Sequence, residues 1–114
     1  MITYEAIKAR KKDAEQRRRK QAATDQARAD LEFYRIQLET LTELEQRTRE
    51  ETKKARRVVA YDAQCNRYGA AIPEKTTAAH VAELEKLERK LLRYNQQIHA
   101  TENRIRQALY ILGK

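Results

Sequence analysis

Tryptophan is absent from these 114 residues, and cysteine, proline, methionine and phenylalanine occur once each. A lone Cys65 excludes the internal disulfide framework that holds small secreted domains together. Valine occurs only at positions 58, 59 and 81, so the chain is short of residues that favour a pleated sheet. Large apolar side chains are too few to fill a globular core. No apolar run approaches the ~20 residues that cross a bilayer, and "MITYEAIKARKK" lacks the apolar centre of a signal peptide. Glycine-rich phosphate loops are missing as well. The expectation from these shortages is a soluble, cytoplasmic protein without sheet.

Charge is what the chain has in quantity. Charged residues make up 37% of it, with 25 Lys and Arg against 17 Asp and Glu, for a net charge of +8. Together with abundant Ala, Glu, Lys, Leu, Arg and Gln, this is the composition of long helices and coiled coils. A basic surplus favours nucleic acid, an anionic membrane or an acidic protein as partner. Over most of the chain the two signs alternate, as on an ordinary solvated helix surface.

Scarce punctuation locates the elements. No Gly or Pro occurs from Met1 to Tyr68, and the interruption is "YGAAIPEKTT". Gly69 suits the left-handed residue just past a helix end. Pro73 suits a first helical turn, Glu74 complements its positive pole, and Thr76 or Thr77 would cap a later start. Helices are therefore expected near 2–68 and 74–112, with a loop at about 69–73. In the second, Val81, Leu84, Leu87, Leu91, Tyr94, Ile98, Ile105, Leu109 and Leu112 follow the spacing of a coiled-coil seam, with Thr101 filling the gap. In the first, Leu31, Tyr34, Leu38, Leu41, Thr48, Thr52, Ala55 and Val59 do the same.

Folding at the loop sets the seams antiparallel, with facing residue numbers adding up to about 145 at equal helical rise. That register pairs Leu112 with Phe33, Ile105 with Leu41, Leu91 with Ala55, and Leu87 with Val58 and Val59. Leu91→Asp is then expected to be among the most damaging substitutions, since it puts a charge in the seam. The second helix reaches back only to about residue 33. The fold expected is thus all-α: a long antiparallel helical hairpin (coiled coil) over 31–112 with an overhanging basic helical arm over 1–30. In the alternative, a break at Ala22–Gln26, capped by Thr24 or Asp25, folds the arm back as a third helix.

The arm holds "KARKKDAEQRRRK", in which ten of thirteen residues are charged. On a helix, Lys8, Lys11, Lys12, Arg18 and Arg19 share about a third of the circumference, which makes them candidate anion or nucleic-acid contacts through phosphate. Aromatics for stacking on single strands are missing from the arm, and no helix-turn-helix, zinc-finger or RNP signature appears. After Met1, only Ile2, Tyr4 and Ile7 are large and apolar before Leu31, too little for insertion at a membrane interface.

Near the expected hairpin tip, Cys65 and His80 face each other with Asp62 one turn away, short of the four ligands of a structural zinc site. No nucleophile–base arrangement is recognisable. The expectation is a protein without catalytic residues, metal, cofactor or small-molecule substrate. The six tyrosines read as packing residues at seam edges. At the open end, "ALYIL" (108–112) is apolar all round, and "LEFYRIQLETLTEL" (31–44) on more than one face. Because a two-helix seam needs one stripe per helix, the excess marks a protein interface: Leu31, Phe33, Tyr34, Ile36, Leu41, Leu44, Ile105, Leu109, Tyr110, Ile111 and Leu112. The functional expectation is a non-enzymatic helical adaptor or assembly subunit that binds a partner protein or itself. The alternative is a nucleic-acid-associated accessory subunit.

Overall fold

The computed structural model describes residues 3–114. Two helices make up the fold, α1 over Tyr4–Arg67 and α2 over Glu74–Ile111, and no strand occurs among the described residues. The all-α hairpin anticipated from the punctuation is the fold observed. The expected start at Ile2 lies outside the described residues. Among those described, α1 opens on Thr3, whose Oγ1 accepts the Ala6 N–H at 3.2 Å as an N-cap.

Between Ala22 and Gln26 the helix does not break, which removes the third-helix alternative. Thr24 caps nothing; its hydroxyl donates to the Lys20 carbonyl at 3.0 Å, one turn back within the same helix.

The loop is built as its residues suggest. Gly69 has φ 85°, and the Ala70 N–H donates to the Cys65 carbonyl at 2.9 Å, closing a Schellman motif. Asn66 Oδ1 accepts the Ile72 N–H at 3.1 Å and ties the loop to the end of α1. The Pro73 carbonyl accepts from Thr76 and Thr77, so Pro73 stands just ahead of the first turn of α2 rather than inside it, and neither threonine is the start. Gly113, with φ 72°, ends α2 in the same manner, with the Lys114 N–H on the Leu109 carbonyl at 3.0 Å.

Backbone contacts group the chain into two units, Gln37–Ala100 and Met1–Ile36 with Thr101–Lys114. In the first, Asp62 meets His80, and Arg56 lies 3.6 Å from Glu88. Falling numbers on α1 thus meet rising numbers on α2, the antiparallel order. Its buried positions are Leu41, Glu45, Thr48, Thr52 and Asp62 on α1 and Leu87 on α2. Leu38, Ala55, Val59, Thr77, His80, Leu84, Leu91, Tyr94 and Ile98 are half-buried between them. The spacing is that of a continuous heptad seam.

Much of this seam is polar, and its most deeply buried polar groups are paired, whereas Gln37 Oε1 and Thr77 Oγ1 are buried without a hydrogen-bond partner. Thr48 donates to the Leu44 carbonyl at 2.8 Å, and Thr52 to the Thr48 carbonyl at 2.7 Å. Glu45 accepts from Arg49 Nε at 3.0 Å. Such pairing offsets the cost of burying them.

In the other unit, Ala27, Leu31, Thr101 and Ala108 are buried. The Arg104 guanidinium lies over the Tyr34 ring, 5.4 Å from its centroid, and Phe33 meets Tyr34 edge to face at 5.3 Å.

The expected register needs correction. It would set Asp62 against residue 83, whereas the structure sets it against His80. The cause is the loop: α1 ends at Arg67 and α2 begins at Glu74, so the turn is centred ahead of residue 72. The proposed packing of Leu112 on Phe33 fails as well, because Phe33 points off the seam and is 63% exposed.

Candidate interaction surfaces

From Ile7 to Ala23 every residue of α1 is exposed. Within Lys8–Lys20, eight basic and two acidic residues give +6, three quarters of the chain's +8. One helix accounts for Lys8, Lys11, Lys12, Arg18 and Arg19 together, and Lys11, Arg18 and Arg19 line one shallow depression with Glu15 and Ala22. Glu15 pairs with Arg19 at 2.7 Å, which holds that guanidinium along the helix. Continuing the seam spacing upstream from Leu31 and Ala27 leads through Thr24 to Lys20, Arg17, Asp13 and Arg10. The face that packs in the hairpin is therefore charged in the arm, and an apolar helix could not be laid along it without burying those charges.

The expected interface residues divide into two groups. Leu31 and Leu41 are buried, and Tyr34, Leu44, Ile105, Leu109 and Leu112 are half-buried, so these serve the hairpin's own packing. Phe33, Ile36, Tyr110 and Ile111 remain exposed, at 63%, 60%, 86% and 56%. All four belong to the unit of Met1–Ile36 and Thr101–Lys114. Tyr110 and Ile111 form an apolar depression with the stems of Arg106 and Gln107, and Ile111 also lines a cleft with Asp30, Tyr34, Arg104, Gln107 and Ala108.

At the tip, Asp62 is the chemically distinct residue. Its side chain is 4% exposed, and its Oδ2 lies 2.5 Å from His80 Nδ1, across the hairpin. Sequence reasoning put His80 against Cys65 instead; the shifted register gives it to Asp62 and leaves Cys65 half-buried. A hydrogen bond with the Cys65 sulfur, one turn on, raises the pKa of the exposed Tyr61 phenol above its ordinary value. Among the described residues no three His, Cys, Asp or Glu side chains gather as a metal cluster, and no helix is long and apolar enough to cross a membrane.

The tyrosines depart from the expected packing role. Tyr34 and Tyr94 sit on the seam, Tyr94 under the Lys90 ammonium at 6.0 Å. Tyr4, Tyr61, Tyr68 and Tyr110 are between 65% and 86% exposed. Against these features, no protein-family model, no curated protein and no solved structure matches the chain.

Proposed function

We propose that this chain is a non-enzymatic, cytoplasmic helical adaptor or assembly subunit that binds a partner protein or a second copy of itself through helix packing. The observation that carries this reading is the group of Phe33, Ile36, Tyr110 and Ile111, four large apolar side chains exposed within one unit and off the seam. Tyr110 and Ile111 share one apolar depression, and an exposed apolar patch marks an interaction surface. The amount of self-burial agrees: the chain of 13.5 kDa leaves 9517 Å² accessible, against about 6,500 Å² for a typical folded monomer of that mass.

A second copy is the simplest occupant. Light scattering on the full chain between 10 and 500 μM, on the order of ordinary interface affinities, is expected to show a mass above 13.5 kDa. Phe33→Lys with Tyr110→Lys should return it to the monomer mass while leaving helix content unchanged, because both side chains are largely exposed. Retention of the oligomer in that variant, or a monomer throughout, would remove self-association from the proposal. The exposed charge of Lys8–Lys20 favours a second reading, an accessory subunit that contacts nucleic acid through phosphate.

A further inference from the structure

The basic arm has two charged faces, not one. At 100° per residue, Lys8, Lys11, Lys12, Arg18 and Arg19 fall within about 120° of arc. Arg10, Arg17 and Lys20 fall within about 80° on the opposite side. Each face carries one acid, Glu15 on the first and Asp13 on the second. The two sectors between them hold only small or neutral side chains: Ala9, Gln16 and Ala23 in one, Ala14 and Gln21 in the other. All of these residues are exposed on one uninterrupted helix.

A flat anionic surface, such as a membrane or an acidic helix, would use one basic face and leave the other in water. Two opposed basic faces with slim sectors between them suit a groove walled by phosphate on both sides. The major groove of B-form DNA is about 12 Å wide and admits an α-helix. That of A-form RNA is too narrow and deep for the same fit. Single strands call for stacking aromatics, and none occurs between Ile7 and Phe33.

We infer that Lys8–Ala23 lies in the major groove of duplex DNA. Lys8, Lys11, Lys12, Arg18 and Arg19 then face one phosphate row and Arg10, Arg17 and Lys20 the other, with an Ala/Gln sector toward the base edges. Lys8 to Lys20 spans about 18 Å of helix, roughly five base pairs of axis. The inference rests on the second reading above and adds to it the nucleic acid and the mode of contact.

The test is anisotropy of a labelled 20-base-pair DNA duplex titrated with the full chain from 50 to 300 mM salt, roughly the range over which counterion release is read. A plot of log K against log salt should fall with a slope of about −4 to −6, as for five to seven phosphates neutralised. Lys8/Lys11/Lys12→Gln and, separately, Arg10/Arg17/Lys20→Gln should each reduce the slope by about 2 to 3 and weaken binding at least tenfold, on the order of the counterion term. Circular dichroism should show both variants as helical as the parent, since glutamine is a good helix former and none of these residues packs. If the second triple leaves slope and affinity unchanged, the contact is one-faced and the groove assignment is overturned. Equal binding of duplex RNA or single-stranded DNA overturns it too, while the nucleic-acid reading survives. Absence of binding to any nucleic acid at 50 mM salt, on the order of the most favourable condition, overturns both.

Discussion

Leu87→Asp is expected to be the most damaging single substitution in the hairpin, costing about 3–4 kcal/mol. Leu87 is 8% exposed, the only apolar residue of α2 buried within the unit of Gln37–Ala100. A carboxylate there loses the transfer energy of the leucine and puts a charge at a buried seam position. Single domains hold about 5–15 kcal/mol in all, so the loss should show as a large drop in the urea midpoint. Leu91→Asp, which the expected register would put among the most damaging, should cost about 1–2 kcal/mol. Leu91 is only half-buried and shares its depression with Arg49, Thr52, Lys53 and Arg56, three of them cations within reach of a carboxylate. If the two substitutions proved equal, or in reverse order, the burial pattern of the seam would be wrong.

The second large effect is expected at the tip. His80→Ala should destabilise by about 3 kcal/mol, because it leaves the Asp62 carboxylate buried without its partner. Asp62→Leu combined with His80→Leu should recover most of that loss, since replacing both partners of a buried hydrogen bond by apolar groups can be nearly neutral or stabilising. Chemical denaturation of the parent, Asp62→Leu, His80→Leu and the double variant closes the cycle. Simple additivity of the single effects would mean that the two side chains do not interact.

How far the sequence reveals this molecule depends on what kind of signal each part carries. The leucines and isoleucines of α2 repeat at coiled-coil spacing, so Leu84, Leu87, Leu91, Ile98 and Ile105 identify their own face. That signal favours the larger side chain at each step, and it chooses Val81 and Leu109. In the structure His80 is half-buried alongside Val81, and Ala108, 4% exposed, is buried more deeply than Leu109. Glu45 and Asp62 are invisible to an apolar pattern, because their burial depends on Arg49 and His80, and the second of these is 18 positions away. Phe33 and Ile36 look like core by composition and are surface by phase. The loop was readable residue by residue, but its centre was not, and the cross-strand partners shifted with it. The arm's charge is plain in the sequence; its exposure on every side from Ile7 to Ala23 required the structure.

The arm also bounds any truncation. Ala27, 2% exposed, is the first fully buried residue along α1. A chain begun at Ala29 loses it, whereas one begun at Thr24 removes, among the described residues, only exposed ones apart from the half-buried Ala6.

Hydrogen exchange of the full chain, with and without a 20-base-pair DNA duplex, tests most directly the idea of a packed hairpin carrying an unsupported basic helix; that length is roughly twice one turn of B-form DNA. An isolated helical stretch without tertiary contacts opens readily. Amides of Lys8–Ala23 should therefore exchange much faster than those of Leu41–Asp62 and Leu84–Thr101 in the free protein, and should become protected when the duplex is added. Slow exchange of the arm in the free protein, or an arm unchanged by DNA at low salt, would contradict it.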